Sequence, residues 1–201
     1  MAKTSGGIRG QITSKYLKES RLEIFALKND IEYASKYGVK SIGTNGGYVA
    51  VSKNRKNESL TDKNGNLTNF GKEIFASEAM ARDGWRIKLN NDYATVTGKK
   101  MPEGLANMKV FEIKSPVAKT ATFEKNIKYA LQKAEKDGKT QVVALYMGKE
   151  TVGKVHRKHV REAINLYSSK NTHRFEKIVV VDSKGKTWVS RKSCGLRINL
   201  C

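Results

Sequence analysis

Residues Met101–Pro116 read MPEGLANMKVFEIKSP, and the fold class turns on how this stretch sits among its neighbours. From Met108 to Lys114 the residues alternate as a strand does. Phe111 and Ile113 project to one side, Glu112 and Lys114 to the other. Ser115-Pro116 ends the strand, because proline has no N–H to give to a ladder. Downstream, Phe123, Ile127, Ala130-Leu131 and Ala134 recur at helical spacing over 122–136. The pattern then repeats as an apolar strand at 141–147, a helix at 155–168, a strand at 176–182 and, after the turn Asp182-Ser183-Lys184-Gly185-Lys186, a strand at 187–191. Upstream, a helix over 71–83 stops at Gly84, and Trp85-Arg86-Ile87-Lys88-Leu89 alternates as a half-buried strand. A further strand is expected over 93–97. Helices alternating with short, nearly all-apolar strands predict an α/β sandwich: a mixed central sheet flanked by helices.

Working towards the N-terminus, residues 12–37 carry a helical pattern ending at Gly38, and Tyr48-Val49-Ala50-Val51 reads as a short strand. Residues 52–69 are rich in Asn, Lys, Asp, Gly and Ser, the composition of a linker or exposed loop. The shift predicts a boundary near residue 65, separating a helical and short-strand extension (1–64) from the α/β domain (65–201). The two cysteines, Cys194 and Cys201, lie within the last eight residues. They are too close to the terminus to staple a core, so they read as free thiols of a reducing compartment, with a local clasp as the other reading. No stretch approaches the roughly 20 apolar residues that span a bilayer, and the start lacks the apolar segment of a signal peptide. The expectation is a cytoplasmic protein with no membrane partner.

Charge narrows the function. The 201 residues hold 39 Lys and Arg against 19 Asp and Glu, a formal net of +20. Residues 149–201 alone carry 13 basic against 4 acidic side chains. Such an excess asks for a polyanion, and nucleic acid is the usual one, since each neutralised phosphate releases counterions. Within VHRKHVREAI (155–164), Val155, His159, Ala163 and Leu166 are expected along one side of a helix. Arg157, Lys158 and Arg161 lie on the others, placed to hold a phosphate backbone. No nucleotide-binding loop is visible, because neither Gly6-Gly7 nor Gly46-Gly47 is followed by the required Lys and helix.

The candidate chemistry lies in the opening stretch. Glu112 and Lys114 share a face, so a carboxylate and an ammonium meet at one spot. With Glu103 on a neighbouring segment, two carboxylates flank one point, which a divalent cation such as Mg2+ holds together. Lys114 would orient or activate the water that attacks phosphorus, or stabilise charge developing on the phosphate. Read blandly, the same E-x-K is an ordinary salt bridge. On the first helix Glu73 shares a face with Ala76 and Met80 and is the carboxylate preferred there over Glu78.

Pro102-Glu103 followed by Glu112-Ile113-Lys114 resembles the core of the PD-(D/E)XK nucleases. The surrounding layout is similar to the C-terminal tRNase toxin domains of the contact-dependent growth-inhibition (CdiA) effectors of bacteria. The likeness covers roughly residues 65–190 and includes Lys72-Glu73, Ala76, Met80-Ala81 and Gly84 in the first helix and Ile127-Lys128-Tyr129-Ala130-Leu131-Gln132 in the next. It implies a PD-(D/E)XK sandwich with a helical N-terminal extension, and a bacterial or prophage-encoded, toxin-like endonuclease cutting RNA, tRNA above all, and open to delivery into a target cell. It also implies catalytic Glu73, Glu103, Glu112 and Lys114, Mg2+ or another divalent cation on Glu103 and Glu112, nucleic-acid contacts from Arg157, Lys158, Arg161, Lys128 and Gln132, and an acidic immunity protein as partner. One departure stands out: position 103 is Glu where that family carries Asp, and the extra methylene moves the ligand outward. Two alternatives remain beside this reading: a non-catalytic basic nucleic-acid-binding protein on the same fold, and a metal-free ribonuclease using His156 or His159.

Overall fold

The computed structural model describes residues 37–43, 45–55, 57–90, 103–116, 123–136, 138–148, 157–170 and 175–191. The expected strand over 93–97, all but the last residue of the N-terminal helix, His156, His173 and both cysteines lie outside them. Within them an eight-stranded mixed sheet runs in chain order: β1 (Tyr37–Ile42), β2 (Tyr48–Ser52), β3 (Arg86–Leu89), β4 (Gly104–Ala106), β5 (Lys109–Lys114), β6 (Val142–Tyr146), β7 (Lys177–Val181) and β8 (Thr187–Arg191). β2 pairs parallel with β3, and β5, β6 and β7 pair parallel in succession; the remaining pairings are antiparallel. The α/β class and the mixed sheet between helices are as expected.

Among the described residues three helices cover the sheet: α1 (Asn69–Arg82), α2 (Phe123–Glu135) and α3 (Arg157–Lys170). The central strand β6 shows why both faces are covered, since all five of its residues are buried. Val142, Ala144 and Tyr146 pack on the α1 side with Ile74, Met80, Ile87 and Phe111. Val143 and Leu145 pack on the other side with Leu131 of α2 and Ile164 of α3. Thus two cores, one per face, share one sheet.

α1 begins where the Thr68 hydroxyl accepts from the Gly71 N–H, satisfying one of the free donors of the first turn. It ends at Asp83-Gly84, with Gly84 at φ +90°, a left-handed conformation that glycine adopts without strain. The helix begins two residues earlier than the spacing predicts, because the cap lies in the polar stretch before it.

Three expectations are corrected. Residues 52–69 are not a linker: Arg55 in the 3-10 turn Lys53–Arg55 is 2% exposed, and Thr61 and Leu67 form an antiparallel bridge. The sheet also crosses the boundary expected at residue 65, since β2 pairs with β3 from Tyr48↔Arg86 to Val51↔Leu89. Tyr37, expected as the end of a helix, begins β1. Polar composition misled in the first case because the segment is held by charge pairs and backbone bonds rather than by apolar contacts. The three-residue strand β4 is too short for a periodic signal.

Candidate active site

The parallel pairings direct β2, β3 and β5 towards the same edge of the sheet, and the site forms at that carboxyl edge. Leu89, Gly104 and Phe111 are paired across β3, β4 and β5. One step outward the same register brings Asn90, Glu103 and Glu112 into a row, and the Asn90 N–H donates to the Glu103 carbonyl at 2.8 Å. The strands approach so closely that a Cβ on Gly104 would stand 1.9 Å from the Lys88 carbonyl oxygen, so glycine is required beside Glu103.

Strand alternation puts Phe111 and Ile113 in the α1-side core and leaves Glu112 and Lys114 on the opposite face. Lys114 Nζ donates to Glu112 Oε2, to Glu103 Oε1 at 3.1 Å and to the Ile113 carbonyl at 3.2 Å. Glu103 Oε2 accepts from the Ile113 N–H. Both carboxylates are buried, Glu103 6% and Glu112 5% exposed. The expected meeting of two acids and one amine is therefore present.

Burial pushes the Glu103 carboxyl up, to about 8; Lys114 draws it back, while the charges of Glu112 and Glu73 add to the rise. Burial alone would lower the Lys114 ammonium, but Glu103 and Glu112 together outweigh it and the net shift is upward.

Glu73 reaches the same edge from α1, because the chain leaves β2 there and the helix starts its return across the sheet. Its carboxylate is paired with Arg55, whose Nη1 donates to Glu73 Oε2 at 2.7 Å. Arg55 also donates to Glu58 at 2.6 and 2.9 Å and stands 4.5 Å from the Phe70 ring centroid. Burial by itself would lower the Arg55 guanidinium, yet Glu58 and Glu73 raise it overall. Glu73 thus acts on Glu103 through its field. The same guanidinium reaches the Asn90 carbonyl at 3.5 Å, and Tyr37 donates to Asn90 Oδ1 at 2.7 Å.

Reading the sequence missed Arg55, Glu58 and Asn90. Asn90 was findable, since it is the residue after an alternating strand in register with Glu103; Arg55 stands in a stretch whose composition says loop.

The residues expected to hold nucleic acid are distributed differently. Lys128 and Gln132 on α2 and Lys158 and Arg161 on α3 are all exposed. Arg157 opens α3, and its side chain lies outside the described residues. α3 leaves the carboxyl end of β6, so its first turn lies towards the same carboxyl edge. Gln132, near the end of α2, is not brought to the carboxylates. The apolar side of α3 is corrected: Val160, Ala163, Ile164 and Tyr167 are buried, whereas His159 is exposed.

The donor set suits Mg2+. Two buried carboxylates, Glu103 and Glu112, are hard oxygen ligands, and Mg2+ is commonly held by one or two carboxylates while keeping several waters. A carboxyl whose charge is penalised by burial is also one that a cation relieves. Among the described residues no group of three or more Asp, Glu, His or Cys closes on one point, so the protein would supply two carboxylates rather than a cage. No helix among them is long and apolar enough to cross a membrane. Comparison of the chain with protein-family models, with curated proteins and with solved structures finds no match.

Proposed function

We propose that the protein is a metal-dependent endonuclease of PD-(D/E)XK type that hydrolyses phosphodiester bonds of RNA, with tRNA as the favoured substrate and a toxin-like role. The observation that supports it is the Lys114 ammonium held between two buried carboxylates, Glu103 and Glu112, at the carboxyl edge of the sheet. As a surface salt bridge this arrangement would contribute little. Buried, it carries a desolvation cost that stability alone does not require. Unusual charge in a concentrated, preformed geometry is the mark of a site.

Glu103 and Glu112 would hold Mg2+, which supplies Lewis-acid activation of the phosphate and of a bound water. Lys114 would place positive charge beside the phosphoryl oxygens, on which negative charge develops in the pentacoordinate transition state. Glu73, anchored by Arg55, keeps a further negative charge close to Glu103. The basic outer faces of α2 and α3 would hold the substrate backbone, and an acidic immunity protein would cover the same charge. Preference for RNA and the toxin role rest on the family resemblance, because a basic surface binds either nucleic acid.

The deciding experiment incubates the purified protein with total RNA and plasmid DNA, with Mg2+ or with chelator, beside Lys114→Met. Mg2+-dependent RNA cleavage that vanishes in Lys114→Met is expected. Full activity in that variant overturns the assignment of Lys114. Salt-dependent binding without cleavage selects the non-catalytic reading, and cleavage in excess chelator selects the metal-free ribonuclease.

A further inference from the structure

α2 packs beside α3, and towards the C-terminal ends of the two helices an open cleft of about 470 Å³ is lined by Tyr129, Gln132, Lys133, Glu135, Lys136 and Tyr167. We propose that this cleft is a subsite for an unpaired base of the bound nucleic acid, remote from the bond that is cut. The inference rests on the nucleic-acid reading above and extends it to residues that reading does not use.

Three observations carry it. First, Tyr129 is 57% exposed and is the only aromatic among the large apolar side chains that the described residues leave open. An exposed aromatic on a helix that already buries Ile127, Ala130, Leu131 and Ala134 is not needed for packing, and every base has a π-face to stack on it. Second, the surroundings combine cations with hydrogen-bonding groups. Lys133 Nζ lies over one face of the Tyr129 ring, 4.6 Å from its centroid, so a base would stack on the opposite face or displace it; the exposed Lys136 lines the same cleft, and both supply positive charge for phosphates next to a stacked base. Gln132 offers a donor and an acceptor. Glu135, whose carboxylate accepts from the Tyr167 hydroxyl, can accept from an amino group on a base edge. An acid is misplaced in a purely phosphate-binding patch but suited to reading a base. Third, the topology sets the spacing. β5 delivers the chain from Glu112 and Lys114 into α2, which runs back towards the start of β6. The 13 residues of α2 span about 20 Å. The cleft therefore lies about one helix length from the carboxylates, on the face of the sheet to which Glu112 and Lys114 project. A strand engaged at the catalytic edge can continue along α2 and place a base there.

The test measures binding of a fluorescein-labelled 12-nucleotide single-stranded RNA and of a 12-base-pair duplex to the full chain, by anisotropy in chelator so that no cleavage intervenes. Wild type is compared with Tyr129→Ala, Tyr129→Phe and Lys136→Gln, all checked for unchanged thermal unfolding. Tyr129→Ala is expected to weaken single-strand binding about tenfold with its salt dependence unchanged, and to leave duplex binding as it was. Tyr129→Phe stays within about twofold, and Lys136→Gln lowers the salt slope by about 0.7. Wild-type affinity in Tyr129→Ala, an equal loss with Phe, or an equal loss on duplex overturns the cleft while leaving the nuclease reading intact. If wild type binds neither RNA, both fall.

Discussion

The carboxyl edge of the sheet and the outer surface of α2 and α3 both concentrate charge, and they do so under opposite conditions. At the edge, Arg55, Glu73, Glu103, Glu112 and Lys114 are mostly out of water, with Arg55 held to Glu73 and Lys114 to Glu103 across separate segments and Glu112 held by Lys114 of its own strand. On the helices, Lys128, Lys158 and Arg161 stand in solvent, and an ion pair there, Lys158 with Glu162, spans 3.9 Å within a single helix. Buried charges interact strongly, shift one another's protonation and respond as a unit. Solvated ones add small, screened and nearly independent increments. Under the proposed function, the first region would serve chemistry at one point and the second grip along a polyanion.

This contrast can be broken at several levels. The largest effect is expected at Glu112→Gln, which removes a carboxylate from the Lys114 cluster while keeping its volume. RNA cleavage with Mg2+ should fall by about 10²- to 10³-fold in single-turnover assays, with affinity measured in chelator little changed. Next comes Arg55→Met, which removes the guanidinium that Glu73 and Glu58 share. Urea unfolding should show a loss of about 3–5 kcal/mol, part of it recovered in Arg55→Met/Glu73→Gln because one buried charge that the guanidinium offset is gone.

A third prediction concerns pH. The Glu103 carboxyl is raised from its ordinary value near 4.5 to about 8, so the folded state binds more protons than the unfolded one between those limits. The stability contributed by this group is complete below the ordinary value and lost as pH rises through about 8. In chelator, the melting temperature should decline from pH 5 to 8 more steeply in wild type than in Glu103→Gln; identical profiles would refute this. The smallest effects belong to the helices. Lys158→Ala and Arg161→Ala should each lower the salt slope of RNA binding by about one, with stability changed by less than about 0.5 kcal/mol.

Much of the site was legible from local pattern. Glu112 and Lys114 had to share a face because they are two residues apart on a strand, and Phe111 and Ile113 had to be buried opposite them. Glu103 was marked by its place before that strand. Arg55 was not legible: nothing about an Arg among Asn, Lys and Ser distinguishes one buried against Glu73 and Phe70 from one in water. β4 escaped notice because three residues around glycine carry no period. The outward side of α3 was misassigned because the spacing places both His159 and Val160 near a common side, and only packing against α2 and β6 selects which is covered.

What the sequence by itself determined is what depends on near neighbours: the alternation of helix and strand, the faces that Phe111, Glu112, Ile113 and Lys114 take along β5, the ends set by Gly84 and Pro116, and the net charge of +20. What only the tertiary structure decided is which distant charges meet. The convergence of Glu103 on Glu112 and Lys114, and of Arg55 on Glu73, requires antiparallel register across β4 and β5 and the return of α1 over the sheet. Register is a property of paired strands, and the strength of a charge pair depends on the water excluded around it, so neither is written in any one segment of the chain.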